Sequence, residues 1–312
     1  MNSKTTHSVM FHHFHSKKHL KAQGSLSKMD FSSMIDWLDK NYTILNADEY
    51  LQKLEKKSIN KNDICISFDD ALLSQFDIAL PVLKKRGITA FYFVPSSVFT
   101  DNPDLLEVYR YFRINEFKTI DEFYDEFFNN VKFNNIEKYE RIKKKYERID
   151  FLPSHKFYSE SDKWFRYLRD YYLKNEEYNK IMKDMMDKKK FNPKKIKQKL
   201  WMNENCLKKI NQDKNIIGLH SFSHPTKMSK LPYKEQFNEY SKNLFHLENI
   251  LGKNTIQTVS HPCGDYNQDT LKILKNLKIK FGFRQNMEVK EIKSMLEIPR
   301  EDQANIFREM KF

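Results

Sequence analysis

Short apolar runs that end in clusters of ligand-type residues recur along this chain, and they constrain its fold more than any other feature. Val9-Met10-Phe11 leads into His12-His13-Phe14-His15, and Ile64-Cys65-Ile66 into Ser67-Phe68-Asp69-Asp70. Phe91-Tyr92-Phe93-Val94 leads into Pro95-Ser96-Ser97, and Ile216-Ile217-Gly218-Leu219 into His220-Ser221-Phe222-Ser223-His224. Thr258-Val259-Ser260 leads into His261-Pro262-Cys263-Gly264, and Leu296-Glu297-Ile298 into Pro299-Arg300-Glu301-Asp302. Runs of this length read as buried strands. Helical spacings lie between them. Met34, Ile35 and Leu38 follow a Ser32-Ser33 cap, and Asn46 can cap a segment through Glu49, Leu51 and Leu54. Leu73–Arg86 reads as a helix made imperfect by Pro81, Tyr233–Leu251 as one stopped by Gly252, and Asn267–Leu277 as another. Strands alternating with helices predict an α/β fold, a parallel sheet or barrel. The C-terminal strand ends of such a barrel share one mouth, where six junctions would converge.

The alternation is interrupted. Residues 1–103 and 214–312 carry it, as first and second parts of the barrel. Residues 104–213 contain no Gly, are rich in Lys, Glu, Asp, Phe and Tyr, and are broken by Pro153 and Pro193. Aromatics every three or four residues among charges predict amphipathic helices, hence a helical insertion that can serve as a lid. The 14 % aromatic content argues for an aromatic-rich core and against disorder. The net charge of +13, with a lysine-dense run over Lys183–Lys209, raises nucleic acid, an anionic membrane surface or an anionic substrate as partners. No RNP-like, zinc-finger or helix-turn-helix pattern accompanies it, so nucleic acid is not favoured. No apolar run approaches the ~20 residues that span a bilayer. No signal sequence is read at Met1–His7, and Cys65, Cys206 and Cys263 have no paired spacing. The expected location is cytoplasmic, with peripheral contact at the inner face of the membrane.

Asp69-Asp70 stands where a strand ends and the chain turns, so both carboxylates can face one pocket, one as ligand and one as base. The same pair also suits a turn or a helix cap. His220 and His224, four apart, share a face on a helical turn, a common zinc-ligand spacing, although a surface or core pair has the same spacing. Two His and one carboxylate with open positions form the ligand set of a catalytic divalent-metal site.

Ser67-Phe68-Asp69-Asp70-Ala71, His220-Ser221-Phe222-Ser223-His224 and Ser260-His261-Pro262-Cys263-Gly264 together resemble the three motifs of the polysaccharide deacetylase family, also called the NodB-homology domain or carbohydrate esterase family four. The stretch Gln75–Phe99 is similar to the helix and strand after the first motif, and Phe11-His12 to the Tyr-His that ends the first strand. The likeness covers about residues 8–100 and 214–305. It implies an α/β fold, a distorted parallel (β/α) barrel with a helical insertion, with Asp69 as general base and Asp70, His220 and His224 as ligands of a divalent metal ion, zinc first. It implies an oxyanion donor at Cys263, next to Gly264, and a substrate-binding place for His12. Three departures stand out. Ala71 replaces a Gly, which is mild where φ stays negative. Ser260 and Cys263 replace an Arg and a Tyr, so another cation must steady the base, and Arg300 is the candidate. No His follows His261, which leaves His12, His13 and His261 as candidate acids. The implied function is a metal-dependent amidohydrolase that takes an N-acetyl or similar acyl group from a sugar, its substrate an N-acylated glycan precursor. The alternative is a non-catalytic glycan- or lipid-carrier-binding protein on the same scaffold.

Overall fold

The computed structural model describes residues 7–103, 105–153 and 158–310. Residues 1–6, over which no signal sequence is read, lie outside the described residues. The strands are β1 (His7–Phe11), β2 (Thr43–Ile44), β3 (Asp63–Phe68), β4 (Phe91–Val94), β5 (Ile216–Leu219), β6 (Thr258–Ser260), β7 (Phe281–Phe283) and β8 (Arg300–Asp302). All pair in parallel in the order β7-β6-β5-β4-β3-β1-β8, with β2 beside β3. Ile298 bridges to Phe283, and its N–H donates to the Gly282 carbonyl at 2.8 Å, which nearly closes the sheet. Pro299 has no N–H to continue that ladder, so the chain crosses to β1, where Arg300–Asp302 pair with Ser8–Met10. The strand expected at Leu296–Ile298 is thus displaced, and Arg300 lies on β8 rather than after a strand. The architecture is the expected distorted parallel (β/α) barrel.

Aromatic packing fills the core. Tyr50, Phe91, Phe93, Phe281 and Phe283 are buried together, and the Phe91 and Phe283 rings lie 5.0 Å apart. Gly218 makes room for this: a Cβ there would stand 2.7 Å from the Phe93 ring and 2.3 Å from Thr258 Oγ1.

Three local expectations change. The helix Lys28–Asn41 starts earlier, because Ser27 and Asp30 form a reciprocal cap. Asn46 precedes the helix Ala47–Glu55 but accepts instead from the Thr89 N–H at 2.8 Å. The helix after β3 opens as a wide π turn, Gln75–Ala79, before Leu80–Lys85, since Pro81 cannot donate back along it.

The chain divides into two units, Met1–Asp104 with Lys197–Phe312, and Leu105–Ile196. The second is built of helices, Leu106–Asn115, Ile120–Asn134, Ile136–Tyr146, Glu160–Tyr167 and Asn175–Lys188, around buried Phe112, Phe123, Phe127 and Phe165. The helix Glu204–Gln212 lies within the stretch 104–213 yet groups with the barrel. It leads into β5 and packs on it, as the connecting helix of a parallel unit does. Among the described residues no helix is long and apolar enough to cross a membrane.

Candidate metal centre

β1 and β3 run in register with Phe11 beside Phe68, so His12 and Asp69 leave the sheet together. The Asp69 N–H donates to the Phe11 carbonyl at 3.3 Å. Asp70 then turns left-handed at φ 74°, and Ala71 at φ 53°. Neighbours on a strand face opposite ways, and this double turn brings the two carboxylates to one side. His12 Nε2 lies 3.8 Å from Asp69 Oδ2 and 4.0 Å from Asp70 Oδ2. Buried Gln75 fastens the turn, its Nε2 donating to the carbonyls of Asp69 at 2.6 Å and His12 at 2.9 Å. Ala71 is thus not mild on the ground of a negative φ, since a left-handed L-residue costs about 1–2 kcal/mol.

Asp69 is held by the far end of the sheet. Arg300 donates Nη1 to Oδ1 and Nη2 to Oδ2, each at 2.7 Å. Ser260 Oγ donates to Oδ2 at 3.1 Å and accepts from Arg300 Nη2 at 2.7 Å. Arg300 Nε donates to the Arg284 carbonyl at 2.5 Å, which fixes the guanidinium plane. The small Ser260 sits against both groups, so an arginine from β8 reaches the carboxylate. Burial is the largest influence on the Asp69 pKa and would raise it, but the charge and hydrogen bonds of Arg300 and the charges of His220 and His12 together outweigh it and hold it at about 2. A carboxyl lowered in the folded state stabilises the fold above its ordinary range, and that contribution disappears as pH falls through about 2. We expect about 2 kcal/mol of acid-sensitive stability from this group. Chemical unfolding measured between about pH 4 and 2 reads it, and Asp69→Asn flattens the slope.

His220 leaves β5 buried, with its N–H donating to Asn243 Oδ1 at 3.0 Å. Its Nδ1 donates to the Ser260 carbonyl at 2.9 Å, which puts a lone pair on Nε2. Ser221 and His224 are both left-handed, at φ 59° and 53°, so the loop curls and the two rings come within 4.8 Å. Asp70 Oδ1 lies 3.5 Å from His220 Nε2 and 3.4 Å from His224 Nε2. Ligands about 2.0–2.2 Å from a tetrahedral ion stand roughly 3.4 Å apart, so these spacings fit a shared divalent ion. Ligand atoms of all three residues lie within 4.8 Å of one another, and buried His224 Nδ1 has no hydrogen-bond partner. Burial opposes charge on Asp70, yet the His220 hydrogen bond and the charges of His224 and His12 hold its carboxyl well below the usual range. His224 is lowered by burial, whereas His220 is raised because Asp69 and Asp70 outweigh burial.

The remaining candidates separate. Gly264, at φ 66°, donates its N–H to the His261 carbonyl at 2.9 Å, so that N–H is not directed at an oxyanion. Its lack of a Cβ matters more, since one would stand 2.7 Å from Gln285 Cβ. Cys263 occupies the same turn at φ 51° with an exposed side chain. His261 is buried, stacks on Tyr266 at 4.2 Å and bonds the Leu296 carbonyl through Nε2 at 2.8 Å. Burial pushes its pKa down to about 4, so it stays neutral near neutral pH. His13 stacks 6.0 Å from His12. Gln75, Asn243 and the bridging role of Ser260 escape the sequence reading. Their one signal is a polar residue at an apolar phase of a helix or strand.

The site thus sets three groups that could hold a divalent ion beside a second, arginine-held carboxylate, at the mouth of a parallel barrel. Residues 175–282 match the family model for polysaccharide deacetylase. The match begins inside the helical unit and includes His220, His224 and the segment Ser260–Gly264. IcaB from Ammonifex degensii superposes with a TM-score of 0.59 at 13 % identity, over 98 % of this chain and 95 % of that one. The Streptococcus pyogenes deacetylase PplD, solved with acetate, gives 0.54 at 15 % identity, over 95 % and 91 %. A de-N-acetylase from Aggregatibacter actinomycetemcomitans gives 0.54 at 11 % identity, over 95 % and 93 %. At these identities the likeness is one of fold. No curated protein sequence matches this chain. The matched residues 175–282 and the overall fold both resemble polysaccharide deacetylases.

Proposed function

We propose that this chain is a divalent-metal-dependent amidohydrolase that removes an N-acetyl, or similar small acyl, group from a sugar in a glycan precursor. The observation that carries this reading is the three-donor set Asp70, His220 and His224 with a further carboxylate, Asp69, held ionised beside it by Arg300. A purely structural ion site has no use for a second carboxylate fixed next to the donors. Two imidazoles and one carboxylate with open positions suit zinc best. When bound, the ion supplies Lewis-acid polarisation of the acyl carbonyl and lowers the pKa of water.

The protein's own groups do the rest. Asp69 takes the proton from the attacking water, oriented by Arg300 and Ser260. His12, whose side chain is 27 % exposed beside both aspartates, delivers a proton to the leaving nitrogen. The amide C–N bond breaks as the C–O bond forms, giving the carboxylic acid and a free amine. Cys263 keeps the family's oxyanion position by resemblance. His12→Ala is expected to lower kcat by about 10²–10⁴-fold without changing ion affinity. Full kcat in that variant would move the acid role to another group.

The lack of paired spacing among Cys65, Cys206 and Cys263 favours a reducing compartment, hence a substrate met in the cytoplasm. A net charge of +13 favours a phosphate-bearing carrier, free or at an anionic membrane surface. The assay is acetate release from nucleotide-linked and lipid-linked N-acetyl sugars. Release from finished polymer alone overturns the precursor reading. Ion binding with no acetate from any N-acetylated sugar leaves the non-catalytic alternative. His220→Ala is expected to lose the ion, read by metal analysis of the purified protein.

A further inference from the structure

The ligand loop His220–His224 is fastened almost entirely to one helix. Glu239 and Asn243 lie one turn apart on Tyr233–Leu251 and therefore share a face. Asn243, fully buried, accepts from the His220 N–H at 3.0 Å and donates Nδ2 to the Val94 carbonyl at 2.9 Å, tying the ends of β4 and β5. Glu239 accepts three hydrogen bonds from the loop between the two histidines. Its Oε2 takes the N–H of Phe222 at 3.0 Å and of Ser223 at 2.8 Å, and its Oε1 takes the Ser223 hydroxyl at 2.7 Å. The Phe222 carbonyl accepts from the Ser97 N–H at 2.8 Å, and the His224 N–H donates to Ser221 Oγ at 3.1 Å.

This arrangement bears on geometry rather than chemistry. Two left-handed residues, Ser221 and His224, make the loop a conformation that an L-chain adopts only when its surroundings impose it. His220 is set independently, by Ser260 on its ring and Asn243 on its backbone. His224 has no ring partner at Nδ1, so the loop backbone must fix where its Nε2 points. We infer that Glu239 is a positioning residue for the metal centre, setting the His220–His224 separation by holding Phe222 and Ser223. The inference rests on the metal reading proposed above.

The test compares three variants with the parent by chelator competition for Zn²⁺. Glu239→Ala removes all three acceptors and is expected to weaken affinity about 10–100-fold, the usual effect of losing an outer-sphere partner. Saturating Zn²⁺ then restores kcat. Glu239→Gln can keep the contacts, its carbonyl facing the two N–H groups and its amide facing Ser223 Oγ, so affinity stays close to the parent. Ser223→Ala removes one contact at an exposed position and falls between them. Parent-like affinity in Glu239→Ala overturns the inference, and equal losses in Ala and Gln variants overturn it too, by making charge the cause. Amide exchange of Phe222 and Ser223 in the metal-free protein gives a second reading: slow in the parent and Glu239→Gln, fast in Glu239→Ala. If the parent binds no Zn²⁺, the metal reading fails on its own. The exchange rates then judge the clamp, and unchanged rates in Glu239→Ala overturn it. Should Glu239→Ala not fold, Ser223→Ala and Glu239→Gln carry the same comparison.

Discussion

Asp69→Asn keeps the divalent ion and lowers kcat by about 10²–10⁴-fold or more, the range a positioned general base supplies. The ion is expected to stay because Asp70, His220 and His224 supply its donors, while both Asp69 oxygens point to Arg300 and Ser260. Asp70→Asn is expected to do the opposite to binding, since a neutral amide is a poorer ligand for a divalent ion. Metal content and single-turnover rates of the two variants, measured side by side, separate the roles. If Asp69→Asn released the ion and Asp70→Asn kept it, the roles are exchanged. If both kept the ion and full turnover, neither carboxylate belongs to the chemistry.

Arg300→Met is expected to act on stability and on pH dependence together. Removing one partner of a buried ion pair leaves a buried charge uncompensated, typically about 3–5 kcal/mol. Arg300 is 1 % exposed and donates to Asp69, Ser260 and the Arg284 carbonyl at once, so little can replace it. The sign on Asp69 follows from the balance of causes. Burial raises its pKa, and Arg300, with His220 and His12, brings it down to about 2. Without the cation the carboxyl moves up from about 2, and activity is lost first at the acid end. Arg300→Lys recovers part of the charge effect but not the paired hydrogen bonds. A pH–rate profile and a denaturant titration read both. An acid limb and a stability equal to the parent's would mean that Asp69 owes its charge to another group.

The candidate ligand residues are open to sequence reading because each lies at or just past a junction where apolar chain stops. Asp69-Asp70 after Ile64–Phe68 and His220 after Ile216–Leu219 needed only the strand signal and the motif order. Arg300 is the candidate to replace the absent third-motif arginine, and the structure brings it onto Asp69. What stayed hidden depends on backbone dihedrals and on polar residues inside packed faces. Nothing in Asp70-Ala71 announces two consecutive left-handed residues. Gln75 and Asn243 read as ordinary helix positions, although each joins two strand ends through buried hydrogen bonds. Pro299 reads as the stop of a strand, whereas it moves the chain from one neighbour to another, and only the register shows that.

That crossing at Pro299 has a bearing on biosynthesis. Asp69 and Arg300 stand 231 residues apart, and β8 comes last of the eight strands in order of translation. Until β8 is made, β1 lacks its second neighbour and Asp69 lacks its counter-charge. A nascent chain that folded early would have to bury two adjacent carboxylates with no arginine. Early collapse around β3 is therefore opposed by desolvation, and the sheet is driven to close late, by its most distant contact. Ribosome-bound chains stopped before and after residue 300 should differ sharply in protease resistance around β3.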